Sequence, residues 1–144
     1  SKDLVAHFPK NYYFNLLLLE SMIRIGNSQN IKAIIEDIEL LSPSLTHRQK
    51  VWYGSYFDYE RALFSFHQNK YSDALEFLNS AINLYTAELD VILGNAYLLQ
   101  GMTYDMMNDR VEAKSCYKKC LKLENFSSAM NKAKQYLNQP YQGQ

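Results

Sequence analysis

Apolar side chains recur at intervals of three and four residues along most of the chain, as they do on one face of an α-helix. The pattern is clear between residues 31 and 41, where the apolar positions are Ile31, Ile34, Ile35, Ile38 and Leu41. No useful length of chain alternates apolar and polar residues in the manner of a half-buried β-strand. Leu, Met and Ala, which favour helices, outnumber Val, Ile and Thr. The pattern therefore predicts an all-α fold.

Short breaks divide this pattern into about seven helices. Gly26, Asn69 and Asn108 stand where helices should end, and glycine and asparagine tolerate the left-handed conformation found there. Pro43 disfavours helical geometry at the residue before it. Because the connections are short, consecutive helices should run antiparallel. The predicted helices cover residues 11–26, 29–41, 46–68, 71–85, 88–107, 110–123 and 126–138.

The chain contains an internal repeat with an offset of 39 residues, which appears when Ala74 is aligned with Ala113. The other aligned pairs match small with small and apolar with apolar: Asn69 with Asn108, Ala62 with Gly101, Leu78 with Tyr117, Ala81 with Cys120, Ile82 with Leu121 and Leu84 with Leu123. Small residues in the first helix of a pair allow close approach of the second. A single helical hairpin cannot bury its apolar face alone, so the hairpins should stack on one another.

The unit from Gly94 to Asn125 has aromatic, small and apolar residues at a recognisable spacing: Tyr97, Gly101, Tyr104, Ala113, Tyr117 and Cys120. This spacing resembles that of the tetratricopeptide repeat, a 34-residue helix–turn–helix unit. The unit from Ser55 to Thr86 fits less closely, because Asp58 and Arg61 stand where the family has large apolar residues. The unit from Phe14 to about Leu45 is degenerate. The 39-residue offset also departs from the family's period.

The resemblance implies a single TPR-like domain over residues 1–144, built of antiparallel hairpins stacked as an α-α superhelix. The hairpins would span 12–45, 46–86 and 88–125, followed by a capping helix at 126–138. Residues 1–11 look like the tail of a preceding repeat, which implies that the full protein continues upstream. Residues 140–144 are expected to form a frayed tail.

In the tetratricopeptide family the first helix of each pair lines a concave surface that binds a partner. The positions carried over to this chain are Asn15, Leu18, Met22 and Ile25, then Tyr56, Tyr59, Leu63 and Phe66, and finally Asn95, Leu98, Met102 and Asp105. Lys and Arg, with which some members bind a C-terminal carboxylate, are missing from this set. The surface suits an amphipathic helix or an extended apolar segment. Asn15, Asn95 and Asp105 would orient the partner through hydrogen bonds.

Three other uses of this surface remain open from the sequence. It can pack against the preceding repeats or the chain's own last helix, or it can form a homodimer. The chain can also be the C-terminal structural segment of a larger protein or enzyme, with the surface packed on the parent chain. The first expectation is a non-catalytic module that binds a protein or peptide partner.

Charge and length exclude several other classes of protein. Fifteen basic residues balance fifteen acidic ones, and the pI is about 6.8, so a strongly basic nucleic-acid binder is disfavoured. The longest Leu run, 16–19, is far shorter than the ~20 apolar residues that cross a bilayer. Cys116 and Cys120 are four residues apart on one predicted helix and are interpreted as reduced core thiols. This slightly favours the cytoplasm, although the compartment stays open.

The residues of catalytic chemistry are scattered. His7, His47 and His67 lie in different segments and have no second ligand pair at metal-binding spacing. The sequence contains no glycine-rich phosphate loop and no nucleophile motif. It therefore predicts no enzyme activity, no metal and no cofactor.

Overall fold

The computed structural model describes residues 2–8, 10–26, 29–84, 90–125 and 127–143, and within these ranges every regular element is a helix. The α-helices are α1 (Lys2–His7), α2 (Tyr12–Arg24), α3 (Ile31–Leu41), α4 (His47–His67), α5 (Tyr71–Asn83), α6 (Asp90–Met106), α7 (Arg110–Leu121) and α8 (Ser128–Asn138). A short 3-10 turn at Ser42–Ser44 follows α3.

The prediction of an all-α fold is confirmed. Helices α2 to α8 correspond to the seven predicted helices, and their described ends agree to within two residues. The predicted helix ends at residues 85, 88 and 126 lie outside the described residues, as does residue 27 in the first break. Helix α1, which was not among the predicted helices, packs against α2.

Two residues at which helices were predicted to begin, Thr46 and Asn11, act as helix N-caps. Thr46 begins α4 with a capping box: its hydroxyl accepts from the Gln49 N–H at 3.3 Å, and the Gln49 side chain accepts from the Thr46 N–H at 2.9 Å. Asn11 accepts from the Phe14 N–H at the start of α2. Polar caps of this kind satisfy backbone donors that the first turn of a helix leaves free.

The two helix ends that the sequence repeat aligns have the same backbone geometry. The φ angle is +59° at Asn69 and +62° at Asn108, so the predicted left-handed residues are confirmed. After each asparagine an N–H reaches back five residues to a carbonyl, at 2.9 Å from Lys70 and 2.8 Å from Asp109. These are Schellman motifs, which end a helix and turn the chain back.

Consecutive helices form three hairpins, which pair α2 with α3, α4 with α5, and α6 with α7. The first helices of the hairpins also pack in order, α2 on α4 and α4 on α6, and α8 covers α6 and α7. Three apolar clusters fill the space between them, and each contains a large side chain with no exposed surface: Leu16, Leu78 and Tyr117. The architecture is therefore a stack of helical hairpins.

Equivalent positions of the repeat make equivalent contacts in the second and third hairpins. The Ser55 hydroxyl donates to the Ala81 carbonyl at 2.8 Å, and the Cys120 thiol donates to the Gly94 carbonyl at 3.4 Å. Ser55 aligns with Gly94, and Ala81 aligns with Cys120. The same two positions are thus joined in both hairpins, with the donor on opposite helices.

The aligned small and large residues are also complementary in shape. A Cβ atom built on Gly101 would lie 2.2 Å from a ring carbon of Tyr117, so α6 and α7 approach this closely only because residue 101 is glycine. In the second hairpin the smaller Leu78 leaves room for Ala62, and both are fully buried.

Asp58 and Arg61, which depart from the family pattern, form an ion pair between a buried carboxylate and a partly buried guanidinium in place of apolar side chains. The Ser80 hydroxyl donates to Asp58. The guanidinium carbon of Arg61 lies 4.5 Å from the ring centre of Phe57 and 4.3 Å from that of Phe77. A guanidinium between two aromatic faces keeps the packing while it retains its charge.

The expectation of a frayed C-terminal tail is wrong at Tyr141, and residue 144 lies outside the described residues. The N–H of Tyr141 donates to Asp105 at 2.9 Å. The Tyr141 ring centre lies 5.9 Å from that of Phe66 and 5.4 Å from that of Tyr136. The buried carboxylate requires hydrogen-bond donors, and the ring of Tyr141 packs against two other rings. These contacts fix the tail to the fold at this residue.

Candidate binding groove

A cavity of about 400 Å³ opens between α2, α4 and α6, the first helices of the three hairpins. We call it the groove. Its lining side chains are Tyr13, Glu20 and Arg24 from α2, Trp52, Tyr56, Tyr59, Glu60 and Leu63 from α4, and Val91, Ile92 and Asn95 from α6. Three large apolar residues of the lining are exposed: Tyr13 at 40%, Trp52 at 41% and Val91 at 61%.

Four of the residues assigned to a binding surface from the sequence come together in the groove. They are Tyr56, Tyr59, Leu63 and Asn95, all only partly buried. Their assignment as partner contacts stays a prediction, with a location that is open to solvent.

Most of the other assigned residues lie in the interior of the chain. The buried ones are Asn15, Leu18, Met22, Phe66, Leu98 and Asp105. Met102 is partly buried between two apolar clusters, and Ile25 is exposed outside the groove lining. The positions carried over from the family resemblance lie on one face of each first helix. Neighbouring helices already cover much of that face. A partner could reach the buried side chains only after the helices separate.

Asp105 illustrates how the interior uses a residue that was expected to orient a partner. It accepts hydrogen bonds from the Tyr117 hydroxyl at 2.8 Å, from Arg110 at 3.0 Å and from the Tyr141 N–H at 2.9 Å. Burial and the hydrogen bond to Asp105 raise the pKa of Tyr117. Arg110 also donates to the Tyr136 carbonyl at 2.7 Å. The carboxylate is therefore occupied by the chain itself.

Across the groove, α2 and α4 are tied together by Glu20. It accepts a hydrogen bond from the Tyr56 hydroxyl and forms an ion pair with Arg24 one turn further along α2. Burial raises the pKa of Tyr56, and the hydrogen bond to Glu20 raises it further. Glu20 thus has two donors and forms a fixed negative charge on one wall.

Glu60 is one of seven groove residues that the sequence analysis did not assign; the others are Tyr13, Glu20, Arg24, Trp52, Val91 and Ile92. The Glu60 side chain lies on α4, one turn after Tyr56 and one turn before Leu63, and the residue is only 3% exposed. Its Oε2 atom is buried and has no hydrogen-bond partner among the described residues. Burial, reinforced by the charge of Glu20, raises the pKa of Glu60 to about 8. The signal in the sequence that could have identified Glu60 is that it is the single carboxylate on an otherwise aromatic and apolar face of α4.

Both cysteines lie away from the groove as buried, unbridged thiols between α6 and α7. Burial raises the pKa of each to about 11, which keeps them protonated and poorly nucleophilic. Their interpretation as core residues is confirmed by this placement.

Two kinds of feature were sought in the described part of the chain. No group of three His, Cys, Asp or Glu side chains there is arranged to hold a metal ion. None of the described helices combines the length and the apolar character that crossing a membrane requires.

Comparison of the chain with protein-family models, with curated proteins and with solved structures finds no match. The resemblance to the tetratricopeptide repeat therefore rests on the residues of this chain alone.

Proposed function

We propose that this chain is a TPR-like, non-catalytic module that binds a peptide segment or helix of a partner protein in the groove. The observation that carries the proposal is the position of the groove: the first helices of three successive hairpins line it, and its mouth exposes large apolar side chains. This is the face to which the family resemblance assigns partner binding.

The composition of the mouth supports a protein partner. Tyr and Trp are enriched at protein interfaces because they bury a large area and lose little conformational entropy. Removing exposed apolar surface from water when a partner covers it contributes a favourable free energy of roughly 25 cal/mol per Å². Tyr13, Trp52 and Val91 offer such surface on all three helices, so one inserted segment can contact each wall.

The proposal is tested by selecting peptides from a random 12-residue display library on the intact chain and measuring their affinity by fluorescence anisotropy. The diagnostic variant is Val91→Glu, which places a charge at the mouth of the groove. The matched control is Val111→Glu: each valine is the second residue of its helix, and they are 61% and 77% exposed, but Val111 does not line the groove.

We expect selected peptides to bind Val91→Glu at least about tenfold more weakly than the original chain, because a charge would have to be desolvated in the interface. Binding to Val111→Glu should be unchanged. No enrichment of peptides, or equal effects of the two substitutions, would contradict the proposal. In that case the packing of the groove on another part of a parent chain becomes the better account.

A further inference from the structure

The carboxyl group of Glu60 has no structural role that the described residues explain. A buried polar atom without a hydrogen bond is costly, so native proteins rarely contain one. The Oε2 atom of Glu60 is buried and unpartnered among the described residues, and Glu60 is one of the residues that line a cavity open to solvent. This combination points to a donor that arrives with a ligand.

The groups around Glu60 indicate the charge of that ligand. The titratable and charged groups of the groove are Tyr13, Glu20 and Arg24 on α2 and Tyr56 and Tyr59 beside Glu60 on α4; the described lining of α6 has none. Arg24 is paired with Glu20, and its side chain is 74% exposed at the rim. When Glu60 is ionised, two carboxylates therefore face one guanidinium, and a positive charge is missing.

The shape of the site favours an ammonium on an alkyl stem. Aromatic faces such as those of Tyr56 and Tyr59 attract cations, and Leu63 and Ile92 provide apolar surface for a stem. The unpartnered acceptor is a single oxygen, which suits a compact ammonium. A guanidinium fork is best matched by both oxygens of a carboxylate.

We propose that Glu60 is the receptor for a lysine side chain carried by the partner segment that enters the groove. This inference rests on the proposed function and deepens it: the apolar mouth holds the segment, and Glu60 selects a basic residue within it. The ammonium donates to Oε2 and supplies the charge that the groove lacks.

This assignment gives binding a definite pH dependence. In the free chain the pKa of Glu60 is about 8, so at pH 7 most molecules carry the neutral acid. An ammonium favours the ionised form, so binding at pH 7 releases a proton. Affinity for the cation should therefore rise with pH, by about tenfold between pH 7 and pH 9, while a primary ammonium stays charged to about pH 10.

The test uses n-butylammonium, which matches the lysine side chain, and n-butanol as its neutral counterpart. Each is titrated into the intact chain, and the ring signals of Tyr56 and Tyr59 are followed by NMR. We expect n-butylammonium to bind at least tenfold more tightly than n-butanol at pH 9, and tenfold more tightly at pH 9 than at pH 7. Glu60→Gln should remove both differences, whereas Glu76→Gln, an exposed residue of α5 outside the groove lining, should keep them.

Equal binding of the two compounds, or no change with pH in the original chain, would overturn the lysine receptor; the pH series needs no variant. The peptide selection separates this failure from failure of the proposed function. Enriched peptides that share a lysine support both proposals, and enriched peptides without a shared lysine leave the groove in place but contradict the role of Glu60. If n-butylammonium binds as expected and no peptide is enriched, the cation site stands and peptide binding fails.

Discussion

The face formed by the first helices of the hairpins has two halves that differ in what covers them. Along residues 52–63 of α4 and 91–95 of α6 it is open, and it forms the groove around Tyr56, Glu60 and Asn95. Near the C-terminal ends of the two helices the chain's own tail covers it, where Tyr141 packs on Phe66 and its N–H donates to Asp105. We call these the open half and the closed half.

The two halves treat their buried acids in opposite ways. In the closed half, Asp105 accepts hydrogen bonds from three residues of its own chain. In the open half, Glu60 Oε2 has no partner among the described residues. The comparison teaches that the position of a residue in the repeat does not decide whether it is available for binding. What decides it is whether another segment of the chain has already occupied that part of the face.

The largest expected effect concerns the pH dependence of stability in the open half. Folding raises the pKa of the Glu60 carboxyl group from 4.5 to about 8. The free energy of unfolding therefore falls as the pH rises between these two values, and above pH 8 the loss is of the order of 5 kcal/mol. The loss occurs because the unfolded chain ionises first. Urea unfolding of Glu60→Gln should therefore show a growing advantage over the original chain from pH 5 to pH 8. If the free energy of unfolding changed with pH in the same way in both proteins, the raised pKa of Glu60 would be contradicted.

The opposite result is expected for the acid of the closed half. Asp105→Ala removes the acceptor shared by Tyr117, Arg110 and the tail, and leaving the buried Tyr117 hydroxyl and the partly buried Arg110 without it should cost about 3 kcal/mol. Urea unfolding at pH 7 measures the loss. If Asp105→Ala were no less stable than Glu60→Gln, the distinction between the two halves would not hold.

A smaller effect tests the tight packing beneath the closed half. Gly101→Ala forces a Cβ atom into Tyr117 and should cost about 2 kcal/mol. Combining it with Tyr117→Leu recreates the Ala62 and Leu78 pair of the second hairpin. The double variant should then be more stable than the sum of the single effects predicts. Strict additivity in thermal unfolding would argue against the structural equivalence of the repeats.

The smallest expected effect compares one tyrosine from each half. Tyr141→Ala removes the ring that covers Phe66 and should cost about 1 kcal/mol, within the range measured for aromatic pairs. Tyr13→Ala, at the mouth of the groove, should change stability by less but weaken the binding of selected peptides. Chemical unfolding and anisotropy together measure both. If Tyr13→Ala lost more stability than Tyr141→Ala and only Tyr141→Ala weakened peptide binding, the assignment of the open and closed halves would be contradicted.

The sequence predicts much of this fold because the relevant information is local. Helix periodicity and the left-handed residues Asn69 and Asn108 depend on neighbours a few residues away. The 39-residue repeat extends this to equivalent positions, and the structure joins Ser55 to Ala81 and Cys120 to Gly94 at positions that the alignment makes equivalent.

The candidate site is less predictable because it depends on contacts between distant segments. The contact between Asp105 and Tyr141 joins residues 36 positions apart, and no periodicity marks it in advance. Glu60 escaped notice for a related reason. A single acid on a helix normally faces solvent, and only the packing of α2 and α6 around α4 buries this one.

The most direct test of the central claim is to map where a selected peptide binds. Amide NMR signals of the chain are compared with and without the peptide. The account predicts that the changes concentrate at residues 52–63 of α4 and 91–95 of α6, with Arg24 of α2, and that α3, α5 and α7 are little affected. Changes confined to α3, α5 and α7, or to the closed half around Phe66 and Tyr141, would contradict it.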